Sequence, residues 1–250
     1  MLATIARALR DPRPTRVRSA ARAAGTPMAG AGRGRHAEAA VAGRTLVEGG
    51  DVVGAEPWLR RAAEAGDTDA MAAVGQILQD RWELAEAEEW YQRASEGGHH
   101  GAMVNLGVLL TMRGDLAGAE RWYRRSADAA DTDAMVNLAG LLADREDWAE
   151  AEQWLRRAAD AGETDALVHL GLLAGVAGDP ESAGRWYQLA ADAGNATGMF
   201  SLGVLCEERG AVAAAEDWYQ RAAAAGNHHA LVNLGRLRAA RGEYGPSAGD

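Results

Sequence analysis

The sequence predicts an all-α fold, a right-handed α-solenoid of six helix-turn-helix repeats followed by a C-terminal capping helix. Six of the eight Trp residues are spaced by 32 residues, which indicates internal duplication. In the unit 99–130, apolar residues recur at steps of three and four on both sides of a Gly-Asp pair, as expected for helix, turn and helix. No stretch shows the alternation typical of a strand. The periodic tryptophans are Trp58, Trp90, Trp122, Trp154, Trp186 and Trp218.

Residues 1–34 are rich in Arg, Ala, Gly and Pro and lack a core-forming pattern, so we expect a disordered arm. In residues 1–44, nine Arg face only Asp11 and Glu38, a local charge of +7 in a chain whose net charge is -10. The charge permits a solvated tail, an arm that contacts nucleic acid or anionic lipid, or an organelle-targeting peptide. A fourth possibility is that the arm folds back onto the repeats as a lid.

The repeats themselves are predicted at 35–66, 67–98, 99–130, 131–162, 163–194 and 195–226. A Gly within a helix costs about 1 kcal/mol relative to Ala. We therefore expect Gly107 and its equivalents to lie where the second helix crosses closely, against the repeated Ala represented by Ala119. The repeated Trp and Tyr are expected in the core. A turn Gly also recurs, but Trp82 and Glu146 replace it in two units.

The last predicted element is a single first helix at 227–241, which closes a repeat domain of 35–242 before a flexible tail at 243–250. In this helix Arg236 and Arg238 stand where the third unit has Val108 and Leu110. Such a change suits a capping helix with one face in water.

The repeat carries a family resemblance. The run Ala102, Asn105-Leu106-Gly107, Gly114-Asp115, Ala119, Tyr123 and Ser126 resembles the tetratricopeptide repeat. The run from Ala151-Glu152 through Trp154 and Ala158 to Gly162 and Ala166 resembles the Sel1-like branch. The resemblance implies that an Asn on the first helices lines a concave face and hydrogen-bonds the backbone of an extended peptide.

The candidate binding groove is therefore the face of the first helices, which are acidic and lack Arg from the second to the sixth unit. We expect it to bind an extended basic or polar segment, and not acidic tails. The alternatives are that the Asn side chains bond neighbouring helices, that His169 is a tolerated substitution, that Phe200 is repacked core and that the acids only solvate helix ends. The candidate peptide-binding residues are Asn105, Asn137, His169, Asn233, Asp133, Asp165, Phe200 and Trp82.

Composition excludes several chemistries. The 26 basic residues are all Arg, and without Lys there is no Walker-type phosphate loop, Schiff base or kinase-type ATP site. Cys206 is the only Cys, so no disulfide framework or two-Cys zinc site exists, and we expect it to be a small core residue. The two His-His pairs are four repeats apart and cannot share an ion.

The sequence thus predicts a soluble, cytoplasmic protein-interaction scaffold that is not an enzyme, with no cofactor, metal or membrane span. The partner is expected to be a protein or peptide. The alternative is a protein that associates with nucleic acid or an anionic surface through its Arg-rich arm, with the repeats as a docking platform.

Overall fold

The computed structural model describes residues 31–240, which form thirteen α-helices and no strand. The predicted tail 243–250, and all of the predicted arm except residues 31–34, lie outside the described range; residues 31–34 belong to the first helix. The helices are α1 (Ala31–Glu48), α2 (Val52–Glu64), α3 (Thr68–Asp80), α4 (Leu84–Glu96), α5 (His100–Met112), α6 (Leu116–Asp128), α7 (Thr132–Asp144), α8 (Trp148–Asp160), α9 (Thr164–Val176), α10 (Pro180–Asp192), α11 (Ala196–Glu208), α12 (Val212–Ala224) and α13 (His228–Ala240).

The helices follow one another with unusual regularity. From α2 onward each helix is 13 residues long, and from α3 onward each begins sixteen residues after the one before. Odd-numbered helices are the first helices of the repeats and even-numbered helices are the second helices. The prediction of six helical hairpins and a final single helix is confirmed over the described residues.

The chain divides into two compact units between residues 141 and 142. In the described part of the N-terminal unit, residues 31–141, α1 packs with α2, α3 with α4 and α5 with α6. In the described part of the C-terminal unit, residues 142–240, α8 packs with α9, α9 with α10, α11 with α12 and α12 with α13. Each of these helices thus packs against a neighbour in sequence, as in helical repeats.

Three residues suffice for each connection because one turn ends a helix and its last residue caps the next. After α5, the amide of Gly114 donates to Thr111 O at 3.0 Å and that of Asp115 to Leu110 O at 2.9 Å. This is the hydrogen-bond pattern of a Schellman motif. Asp115 Oδ1 then accepts from the amide of Gly118 at 2.9 Å and caps α6.

The Schellman turn needs a left-handed residue, which recurs at twelve positions from 50 to 226. Nine of these are Gly. The other three are Trp82, Ala130 and Glu146, with φ of 63°, 67° and 65°. The two replacements singled out in the sequence, Trp82 and Glu146, therefore carry the backbone conformation of the glycines that they replace.

The mid-helix glycines lie at a close crossing, but their contact partner differs from the prediction. A Cβ on Gly107 would lie 2.4 Å from Tyr123 Cε1, and one on Gly171 would lie 2.3 Å from Tyr187 Cε1. The expected contact with the repeated Ala was wrong, because the flat Tyr ring of the second helix fills the space over the Gly.

Burial of the repeated aromatic residues is also uneven. The repeated Tyr side chains are all buried, whereas among the repeated Trp residues only Trp90 and Trp154 are, and Trp58 is 43% exposed. The expectation of a core role for every Trp was therefore wrong. In four repeats the Trp face is covered by the Arg three residues later, at 4.0 to 5.5 Å from the ring centroid.

The last helix is held by ion pairs. Arg236 Nη2 lies 2.6 Å from Glu207 Oε2 on α11, and Arg238 Nε lies 3.0 Å from Glu216 Oε1 on α12. The two Arg side chains, predicted to face water, thus also tie α13 to the preceding repeat. Leu231 and Val232 of the same helix are exposed.

Candidate functional site

Charge is segregated between the two sets of helices. None of the interior first helices α3, α5, α7, α9 and α11 contains an Arg. Between α2 and α12, the Arg residues lie on second helices or at the residue after a first helix. The acids of the first helices are Asp69, Asp80, Asp133, Asp144, Asp165, Glu207 and Glu208.

In the N-terminal unit, Asn105 is held inside the structure. It is only 1% exposed, and its Nδ2 atom donates to Gln76 Oε1 at 3.5 Å. Burial raises the pKa of Tyr91, and a hydrogen bond with Asn105 acts in the opposite direction. Asn105 thus bonds a neighbouring helix, as expected in the alternative in which the Asn side chains do not bind a peptide.

Other candidates of the N-terminal unit lie at different depths. Asn137 is buried and Asp133 is half-buried. Trp82 is 75% exposed at the turn between α3 and α4. On the neighbouring first helix, Asp69 lies 3.8 Å from Arg44 Nη1 and 3.6 Å from His99 Nε2.

In the C-terminal unit, Asp165 takes part in the cap of the next first helix. Its Oδ1 atom accepts from Asn195 Nδ2 at 2.7 Å, while Asn195 Oδ1 accepts from the amide of Gly198 at 2.9 Å. Since the Asn195 amide bonds it, the Asp165 carboxylate is oriented by the repeat that follows. His169, on the same helix, is buried.

Phe200 and Asn233 are brought together around Tyr219. The ring centroid of Phe200 lies 5.7 Å from that of Tyr219 and 6.4 Å from that of His229. Burial raises the pKa of Tyr219 to about 12, a hydrogen bond with Asn233 acts against this, and one with Glu207 adds to it. The Tyr219 hydroxyl donates to Glu207 Oε2 at 3.0 Å. Phe200 is half-buried, neither a fully buried core residue nor an exposed one.

Two clefts between second helices were not predicted. One, of about 420 Å³, lies between α4 and α6, and its lining includes Trp122. The other, of about 670 Å³, lies between α8 and α10, and its lining includes Trp148 and Trp186. The sequence could have indicated the second cleft by a local departure from the repeat. Ala177 and Leu189 stand where most other units have Arg.

No group of His, Cys, Asp or Glu in the described chain is arranged to hold a metal ion. Cys206, expected in the core, is half-buried. Between residues 31 and 240 no helix has the length and apolar character needed to cross a membrane.

Family models match most of the repeat region. Tetratricopeptide repeat models match residues 101–130, 132–163 and 169–230, and the Sel1 repeat model matches 55–67 and 68–99. No curated protein matches the chain. Repeats of both kinds generally mediate protein–protein interaction, and such scaffolds are typically non-catalytic.

Solved structures show the same fold. The chain is similar to a Sel1 repeat protein from Oxalobacter formigenes, with 27% identity, a TM-score of 0.66, and coverage of 79% of this chain and 89% of that one. It is also similar to c5321, a protective antigen of uropathogenic Escherichia coli, with 26% identity and a TM-score of 0.63. That match covers 84% of this chain, which spans half of the antigen's length.

A third similar structure is PilF of Pseudomonas aeruginosa, with 20% identity, a TM-score of 0.58, and coverage of 70% of this chain and 85% of that one. At this identity the likeness concerns the fold alone. The observed helix pairs, the family models and the solved structures agree. The chain is a tetratricopeptide and Sel1 repeat protein.

Proposed function

We propose that the chain is a non-enzymatic protein-interaction scaffold whose first helices bind an extended basic or polar segment of a partner protein. The observation that carries this proposal is the segregation of charge, because none of the five interior first helices contains an Arg and four of them contain acids. A surface of one charge sign attracts segments of the opposite sign and speeds their association.

Asp133 and Asp165 are better candidates than the Asn residues for contact with such a segment. Asp133 and Asp165 are both half-buried. Asn105, by contrast, is buried and bonded to Gln76. Because the Asn195 amide fixes the Asp165 carboxylate at 2.7 Å, a guanidinium or ammonium group meets a carboxylate that is already oriented.

The test is affinity capture from a lysate of the native host at 50 and 300 mM salt, with bound proteins identified by mass spectrometry. We expect a defined set of proteins on the wild-type chain, reduced several-fold by the higher salt. The variant Asp133→Asn/Asp165→Asn is expected to lose the same set, because it removes two carboxylates with little change in side-chain volume.

A matched control removes two exposed carboxylates from second helices, in Glu89→Gln/Asp217→Asn. This variant is expected to retain the captured proteins, and circular dichroism checks that all three chains are equally helical. Equal capture by both variants, or capture that does not respond to salt, argues against a binding surface on the first helices.

The charge of residues 1–44 favours a second candidate function, binding of nucleic acid or an anionic surface through the arm. Its test is binding of a fluorescent 20-base-pair DNA duplex and of vesicles containing phosphatidylserine. Replacement of the seven Arg between residues 1 and 34 by Ser is expected to abolish binding if the arm has this function. Retained binding assigns it to the repeats instead.

A further inference from the structure

The cleft between α8 and α10 combines apolar walls with charged residues at its rim. Its walls include Trp148 and Leu189, which are 39% and 50% exposed, together with the half-buried Trp186. The floor is formed by α9, where Leu173 and Ala174 line the cavity. At about 670 Å³ it has the size of a pocket for several side chains.

Comparison with the other repeats shows why the cleft is open. The residue after a first helix is Arg in most repeats, and in two of them it reaches back to a Glu of the preceding second helix. Arg81 Nη2 lies 2.6 Å from Glu56 Oε2, and Arg113 forms the equivalent pair with Glu88. The equivalent residue after α9 is Ala177, and Glu152, at the position of Glu56 and Glu88, pairs within its own helix with Arg156 at 2.7 Å.

Three more positions change in the same direction. In four repeats, an Arg three residues after the repeated Trp covers its ring, as at Trp90, Trp122, Trp154 and Trp218. The residue three positions after Trp186 is Leu189 instead. Ala174 stands where other repeats have Leu or Cys, and Trp148 where they have Val, Leu or Pro. Each change either removes a side chain from the cleft or makes its wall more apolar.

The rim of the cleft lacks two Arg side chains that other repeats have. Relative to the repeat pattern, two guanidinium groups are absent, at positions 177 and 189, while the acids Glu152 and Asp179 remain. Of the Arg residues at the rim, Arg156 is paired with Glu152, and Arg185 Nη2 donates to Ser182 Oγ at 2.7 Å. A partner that brings an Arg therefore restores the cross-helix pair with Glu152, and its large apolar side chains fill the space over the two Trp rings.

We propose that this cleft is a second binding surface, which takes a segment of a partner protein carrying an Arg flanked by large apolar side chains. The surface lies between two second helices, over α9, and does not depend on binding by the acidic residues of the first helices. Removal of two Trp rings from water supplies affinity, and the Arg supplies specificity.

The test uses a phage-displayed library of random twelve-residue peptides, selected on the full chain. Enriched sequences are expected to contain Arg next to Leu, Ile, Met, Phe or Trp. The variant Ala174→Leu/Ala177→Arg/Leu189→Arg restores the residues of the other repeats, so it is expected to fold and to lower the affinity of the selected peptides at least tenfold. Glu152→Gln is expected to weaken only peptides that contain Arg.

A control variant, Ala129→Arg/Ala225→Arg, adds the same two positive charges at exposed helix ends outside the cleft and is expected to bind normally. Absence of enrichment, enrichment of acidic peptides, or equal binding to the cleft-filling variant overturns the proposal.

Two other occupants of the cleft would give distinct results, and either result would overturn the proposal that a separate partner protein binds there. Self-association of the full chain that the cleft-filling variant abolishes would identify a second copy as the occupant. Peptide binding that is detected only after Leu2→Ser/Ile5→Ser/Leu9→Ser would identify the chain's own apolar and Arg-containing first ten residues.

Discussion

At the scale of single residues, the pair Gly107 and Tyr123 sets the distance between the two helices of a repeat. Tyr123 is fully buried, and its ring occupies the place of the Cβ that Gly107 lacks. At the equivalent positions of the fourth repeat the sequence has Ala139 and Leu155. The loss of the ring and the gain of the methyl group therefore occur together in that repeat.

Gly107→Ala is expected to destabilise the chain by about 1–3 kcal/mol, because the added methyl group overlaps the ring of Tyr123. The cost outweighs the gain in helix propensity of about 1 kcal/mol. The double variant Gly107→Ala/Tyr123→Leu has the residue pair of the fourth repeat, and the two substitutions are expected to couple favourably by at least ~1 kcal/mol. Urea unfolding of the four chains of this cycle measures the coupling. Additive effects would show that the Gly is not held by the ring.

Ala130 tests the cost of a left-handed turn without Gly, since its φ is 67°. Ala130→Gly is expected to stabilise the chain by about 0.5–1 kcal/mol, the part of the left-handed penalty that exceeds the entropy cost of Gly. Gly114→Ala, at a φ of 85°, is the matched reverse change and is expected to destabilise it. Thermal unfolding compares the two; a loss of stability in Ala130→Gly would be inconsistent with strain at this turn.

At the scale of helices, capping explains why each connection is short, and one cap depends on pH. His99 caps α5, since its Nδ1 atom accepts from the amide of Ala102 at 3.0 Å. Only an unprotonated Nδ1 can accept this bond. Burial lowers the pKa of His99, while Asp69 and Asp67 raise it and His100 lowers it further.

Because the folded pKa is below the unfolded value of 6.5, the unfolded chain binds more protons as the pH falls. The contribution of His99 is therefore complete above pH 6.5 and is lost as the pH falls through the lowered folded pKa. His99→Asn, with the residue found at the equivalent positions 195 and 227, is expected to reduce this dependence. Urea unfolding between pH 7.5 and 5 measures it, with His100→Gln as control. An unchanged pH profile in His99→Asn would assign the dependence to other groups.

The period of 32 residues was sufficient to predict the helices, their pairing and the final single helix, because apolar spacing and turn residues repeat in register. The period did not predict which side chain contacts Gly107. A repeated Ala and a repeated Tyr recur with the same period, so the period alone does not distinguish them. The depth of each Trp was also missed, because burial depends on the neighbouring repeat and on the Arg that stacks on the ring. In the sequence, the cleft at Ala177 is visible only as a departure from the period. The Arg81–Glu56 pair in the structure shows which cross-helix contact Ala177 cannot make.

At the scale of the whole chain, closely packed helices are neighbours in sequence or nearly so. Stability is then a sum of local terms and nearest-neighbour terms. The central helix α5 is buried along nine of its thirteen residues, whereas in α13 only Ala230 and Leu237 are buried. Protection of backbone amides is therefore expected to be high in α5 and low in α13.

Tyr219→Ala tests this locality, because Tyr219 is fully buried in a cluster with Ala215, Ala222, Ala230 and Leu237. Removal of its ring is expected to cost about 3–5 kcal/mol in the terminal repeat. Hydrogen exchange followed by mass spectrometry is expected to show faster exchange in α11, α12 and α13 and no change in α3, α4 and α5. An equal increase in every helix would instead show that the chain unfolds as one cooperative body, in which a loss at the last repeat is shared by the first.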